Sequence, residues 1–203
     1  MIVQVLLSSF IFACAAAAGI AAAQMLIARV ERFQDGPPPR RLHPAVPIAF
    51  MAALGFLLAL RGANTMQLSI VAILGVPLIG SWYSDAQKGI VPDVFTLVPL
   101  AGIAVYVVLH HAWAIALYSG VTFGAFGCAA LISRGKGMGW GDAKLAAVAG
   151  AILGLPWSFG VLGTACLTAT IVSIVRDRGK APIAFAPYIS VFVLLATTLI
   201  VHP

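Results

Sequence analysis

AWAIALYSGVTFGAFGCAALIS, running from Ala112 to Ser133, carries no charged side chain in 22 consecutive positions. Read as a helix rising 1.5 Å per residue, it extends about 33 Å, enough to cross a hydrocarbon layer of about 30 Å. Nothing along it supplies the polar stripe that a helix on the surface of a soluble domain turns to water. The solvent for this stretch is lipid.

Seven further apolar runs flank it, near Ile2–Ala28, Val46–Leu60, Leu68–Ser84, Val94–Leu109, Ala143–Leu155, Trp157–Val175 and Ala184–Val201. Of the 203 residues 62% are hydrophobic and 9% charged. A soluble domain carries about a quarter charged residues to cover its core, so this composition excludes one. The fold expected is all-α: a polytopic transmembrane bundle of about eight helices, with residues 1–203 forming a single membrane-embedded domain. The runs that start near Val46, Val94 and Ala143 are short for a crossing, which requires protein around their ends or a locally thinned bilayer.

The charges sort by gap. Arg29, Arg32, Arg40 and Arg41 fall in the first gap and Lys88 in the third. Arg134, Lys136 and Lys144 fall in the fifth, and Arg176, Arg178 and Lys180 in the seventh. With eight helices these odd gaps share one side, so eleven of the twelve Lys and Arg residues lie there and Arg61 alone lies opposite. The positive-inside rule makes that side cytoplasmic and puts both termini outside. Seven or nine helices would destroy the sorting. The cations follow the first run and none precedes it, which suits a retained helix rather than a cleaved signal despite Ala21-Ala22-Ala23. The net charge of +6 does not indicate nucleic acid, because the basic residues do not gather with aromatics on one face. Pro37-Pro38-Pro39 makes the first gap an irregular loop.

Cys14, Cys128 and Cys166 sit within apolar runs and form no CxxC pair, so they read as packing residues, with neither a zinc site nor a disulfide framework. Trp82, Tyr83, Trp140 and Tyr188 gather toward the cytoplasmic side, where an interfacial aromatic belt is expected. His43, His110, His111 and His202 fall in loops or at run ends without a matching nucleophile.

Acidic residues number six. Glu31, Asp35 and Asp177 sit among arginines as solvated partners. Asp85, Asp93 and Asp142 each stand at the end of a run, where a carboxylate is either a helix cap or a functional group. Asp142 ends Gly137-Met138-Gly139-Trp140-Gly141-Asp142, whose glycines allow close approach of another helix or of a substrate backbone. Asp85 follows Trp82-Tyr83-Ser84 and leads through Ala86-Gln87-Lys88-Gly89-Ile90-Val91 to Pro92-Asp93. Asp85 and Asp142 share one side of the membrane under this topology, and a compact bundle could bring them together. Two adjoining carboxyl groups do not both ionise easily. They share a proton, and such a pair can activate water with neither metal nor covalent intermediate.

These stretches resemble the type IV prepilin peptidase family, one of the GxGD intramembrane aspartyl proteases. Asp85 followed by Pro92-Asp93 is similar to the family's first motif. Gly137 to Leu145 resembles the GxGD motif with its following lysine and leucine, and Pro182 to Tyr188 resembles a Pro-Phe-Gly-Pro segment, with Ala186 in place of the glycine. The resemblance implies catalytic roles for Asp85 and Asp142 and supporting roles for Gly139, Gly141, Lys144, Pro92 and Asp93. Asp93 would cap the fourth helix, and Lys144 would orient or tune an aspartate. It also implies a substrate, the short basic leader of a prepilin or pseudopilin cut at the cytoplasmic face of a bacterial inner membrane, with no cofactor. Larger members carry a zinc-binding domain with two CxxC pairs and methylate the new N-terminus. This chain has neither pair, so it resembles a short form. A transporter would spread acidic groups through the depth of the bilayer, and a scaffold for pilus or secretion machinery would not need both aspartates.

Overall fold

In the computed structural model, which describes residues 2–31, 42–133, 138–177 and 184–200, the chain is all-helical. Its elements are α1 (Ile2–Glu31), α2 (Ala45–Leu60), α3 (Thr65–Lys88), α4 (Asp93–His110), α5 (Trp113–Ile132), α6 (Trp140–Leu153), α7 (Leu155–Asp177) and α8 (Ala186–Ile200). Eight apolar runs have become eight helices, and no strand occurs among the described residues.

Four of them are long and apolar enough to cross a membrane: Ile2–Arg29, Thr65–Lys88, Trp113–Ile132 and Leu155–Val175. The protein is a membrane protein, and its packing is inverted relative to a soluble one. Ile2, Val3, Phe10, Leu109, Ile132 and Val175 are exposed, while Ser81, Ser84, Thr96, Thr122, Ser158 and Ser190 are buried. In lipid an outward apolar side chain costs nothing, and polar groups gain by turning inward to partners.

α6, at 14 residues, is the shortest helix. It would extend only about 21 Å, too little for an unshielded crossing. Its length is tolerated because it is enclosed. Asp142, Ala143 and every residue from Leu145 to Gly150 are buried, and α4, α5, α7 and α8 pack around it. Ala143, Ala146, Ala147 and Ala149 let those neighbours approach closely.

Helix ends are set locally. Asn64 caps α3 by accepting from the Gln67 amide at 2.9 Å, while the Gln67 side chain accepts from the Asn64 amide at 2.9 Å. At the other end Gly89 adopts the left-handed conformation, φ 67°, and its N–H closes on the Asp85 carbonyl at 2.7 Å. His111 closes α4 in the same conformation, φ 52°, and His110 stacks on Tyr106 with ring centroids 4.4 Å apart. These two histidines thus finish a helix.

Two expectations need correction. Trp82 and Tyr83 are not part of an aromatic belt, being 8% and 6% exposed. Trp82 packs edge-on against Phe50, centroids 5.6 Å apart, and the Tyr83 hydroxyl accepts from Gln24 Nε2 of α1 at 3.2 Å. Only Trp140 of that group is exposed. Cys14 and Cys128 are exposed rather than packed inside, although all three cysteines are free, as expected. Arg32, Asp35, Pro37 to Pro39, Gly137, His202 and the side chains of Glu31 and Asp177 lie outside what is described.

Candidate active site

α3 continues one turn beyond the end of its apolar run, so Asp85 lies within the helix and not after it. It remains buried, 7% exposed. α8 explains how this is sustained. The residues that open α8, Phe185-Ala186-Pro187, offer no side-chain oxygen to the first amides of the helix. An external acceptor has to supply it. Asp85 Oδ2 does so, accepting from the Ala186 amide at 2.8 Å. One turn further into α8, Ser190 Oγ donates to the Leu78 carbonyl at 2.9 Å, fastening the same two helices.

Asp142 stands in the first turn of α6 and is 8% exposed. Its Oδ2 accepts from the Gly139 amide at 3.0 Å, reaching back along its own helix to an N-terminal donor. Both aspartates are therefore held in the same way, by a helix N-terminus where amides and macrodipole favour an anion. Asp142 lies within electrostatic reach of Asp85. Cys166 of α7 also lies within reach of Asp142. Gly139 and Trp140 beside Asp142 are exposed, so the two carboxyl groups sit just beneath the end of the bundle.

The supporting residues fall around this pair. Lys144 lies on α6 itself, two residues past Asp142, which turns it about 200° away around the helix axis. It forms an ion pair with Asp93, the first residue of α4, and thus meets an aspartate other than the two buried ones. Pro92, extended at φ −62° and ψ 137°, stands at the N-cap of α4 with no side-chain cap bond, so Asp93 does not cap the fourth helix as expected: its carboxyl group turns to Lys144 instead. Gly141 faces Val91: a Cβ on Gly141 would stand 2.7 Å from the Val91 Cβ, closer than carbon atoms approach. A Cβ on Gly139 would meet the Asp142 carboxyl group at 3.5 Å and the Gly141 nitrogen at 3.9 Å, both ordinary contacts. The two glycines are thus unlike. One is required by packing and the other lines the approach to Asp142.

Sequence reasoning did not single out Ser81. It lies one turn before Asp85 on the same face of α3 and is fully buried, and its hydroxyl is without a hydrogen-bond partner. The four-residue spacing to Asp85 was the available signal. Among the described residues no three His, Cys, Asp or Glu side chains assemble as a metal-ligand set.

A family model described as the type IV leader peptidase family matches residues 72–174. The matched stretch holds Asp85, Asp93, Asp142 and Lys144 and ends before α8. No curated protein and no solved structure matches the chain.

Proposed function

The chain belongs to the type IV leader peptidase family, and from that premise we propose that it is an aspartyl endopeptidase that removes the short basic leader of pilin-like precursors at the cytoplasmic face of a bacterial inner membrane. The observation that supports this reading is the burial of two carboxyl groups, Asp85 and Asp142, with Asp142 within electrostatic reach of Asp85. They come from separate helices, both are buried, and each is anchored on a helix N-terminus within electrostatic reach of the other.

The chemistry follows from a pair that holds one proton. The ionised carboxylate takes a proton from water as the water oxygen attacks the scissile carbonyl carbon. The protonated partner gives its proton to the carbonyl oxygen, leaving a neutral gem-diol. On collapse the C–N bond breaks: one gem-diol hydroxyl gives its proton to the ionised carboxylate as it becomes the new carbonyl, and the departing nitrogen takes the proton of the protonated partner, so the pair again holds one proton. The proton belongs to the pair rather than to either residue. A protein substrate would present its scissile bond at the end of the bundle, with its own apolar segment in the surrounding lipid.

The test is incubation of the purified protein in lipid nanodiscs with a synthetic prepilin, followed by mass spectrometry. One cut after the leader is expected from the parent and none from Asp85→Asn or Asp142→Asn. The mass of the product also reports any methyl group added. An intact substrate after prolonged incubation with the parent protein, across several prepilin leaders, would remove the proposal.

A further inference from the structure

The ion pair between Lys144 and Asp93 joins α6 to the start of α4. Asp93 also ends the short turn that leaves α3: Gly89 stops that helix in the left-handed conformation, and Ile90, Val91 and Pro92 lead directly to Asp93. Val91, within this turn, is the residue against which Gly141 packs. The turn is therefore gripped at two points by the first turns of α6, once by apolar contact at Gly141 and once by charge at Lys144. Asp85 lies four residues before Gly89, and Asp142 lies between Gly141 and Lys144. The grip spans the two aspartates.

Lys144 faces away from Asp142, and its side chain is 26% exposed while that of Asp93 is 62% exposed. An ion pair so open to solvent contributes little to global stability. Its geometric effect is different in kind, because it fixes the rotation and depth of α6 against the turn that follows Asp85. We propose that Lys144 and Asp93 are positioning residues, a charged clamp that sets where Asp142 stands relative to Asp85. The proposal rests on the reading of these two aspartates as the catalytic pair. Lys144 thus acts through Asp93 and not by touching substrate or by altering the proton on the pair.

The experiment uses the whole protein in nanodiscs, with Lys144→Met, Asp93→Asn and the exchanged pair Lys144→Asp with Asp93→Lys. Misplacement by about 1 Å can cost about 100-fold in rate. Each single variant should therefore lose about 10- to 100-fold in kcat, with KM within about 2-fold of the parent and both limbs of the pH profile unmoved. The exchanged pair should recover most of the lost kcat. Unchanged kcat in the single variants overturns the proposal. So does an exchanged pair as impaired as the singles, which would assign Lys144 a direct role, and so does a displaced pH limb. A second measurement does not depend on proteolysis. Spin labels at the exposed positions Ile90 and Trp140, in a background lacking the native cysteines, should give a narrow dipolar distance distribution in the parent. That distribution should be broad in Lys144→Met and narrow again in the exchanged pair. If the parent cleaves no prepilin, the proposed function fails while the label distances still decide the clamp. An identical distribution in Lys144→Met would overturn it.

Discussion

Replacing Asp85 in two ways separates its chemistry from its structural duty. Asparagine keeps a carbonyl oxygen where the carboxylate oxygen accepts from the Ala186 amide, whereas alanine removes the acceptor. The bond measures 2.8 Å between buried groups, and α8 opens without a side-chain cap of its own. Loss of an N-cap acceptor costs about 0.5–2 kcal/mol, and a buried N–H left unsatisfied about 1–3 kcal/mol. Both figures describe the same amide and are not added. Asp85→Ala should therefore lose about 1–3 kcal/mol of stability and Asp85→Asn less than about 0.5 kcal/mol. Both should lose leader cleavage by at least about 100- to 10,000-fold, the usual worth of a positioned acid or base. Unfolding in mixed detergent micelles measures the first quantity and mass spectrometry of a synthetic prepilin the second. An alanine variant as stable as the asparagine variant would refute the capping of α8 by Asp85. Parental cleavage by Asp85→Asn would refute the catalytic pair.

Gly141→Ala should reduce both stability and cleavage, because its Cβ would meet Val91 at 2.7 Å. Gly139→Ala should leave the melting temperature within about 2 °C of the parent, since overpacking arises only where a contact is violated; equal melting temperatures for the two variants would contradict this difference. Ser81→Ala should be neutral or stabilising by up to about 1 kcal/mol, because it removes a buried hydroxyl that satisfies no partner. A destabilisation of more than about 1 kcal/mol would show that the hydroxyl is bonded. The pH dependence of kcat should be bell-shaped: it rises as the fully protonated pair loses its first proton and falls as the second is lost. Rates measured from pH 4 to 9 test this, and a profile that rises to a plateau would exclude a required proton.

Much of this was legible because lipid makes helix positions plain in composition. Each of the eight apolar runs became a helix, and sorting the cations by gap required the same number. Ends were less legible. The run ending at Ser84 stopped where apolar residues stopped, yet α3 continues to Lys88 because Asp85 is buried and bonded to α8 and Gly89 closes the helix. The belt reading of Trp82 and Tyr83 failed for the same reason, since a bundle end enclosed by other helices is not a lipid interface. Lys144, grouped with loop cations by sequence, lies on α6, and its partner is Asp93, 51 residues away along the chain. Pairings of that kind follow from helix rotation, which short runs of small residues do not specify.

α8 shows why the weakest sequence resemblance occupies a central place. At its N-terminus Ala186 donates to Asp85, and toward its C-terminus the Thr198 carbonyl accepts from Arg61 Nη1 at 3.3 Å. The helix carries an anion at its positive end and a cation at its negative end, the arrangement the macrodipole favours. Arg61, the lone cation on the opposite side by charge sorting, thereby has a structural duty. On the proposed mechanism this matters for the proton. A cation beside the buried pair would favour the state with both carboxylates ionised, and that state has no acid to donate. Helix amides orient both aspartates without bringing such a charge, and Lys144, the cation nearest to Asp142 in sequence, is turned away and paired with Asp93. The site holds its carboxylates by dipoles, and Lys144 is occupied by Asp93. An acid–base pair shares a single proton because two adjoining carboxyl groups do not both ionise easily, and the pairing of Lys144 with Asp93 leaves that balance undisturbed by Lys144.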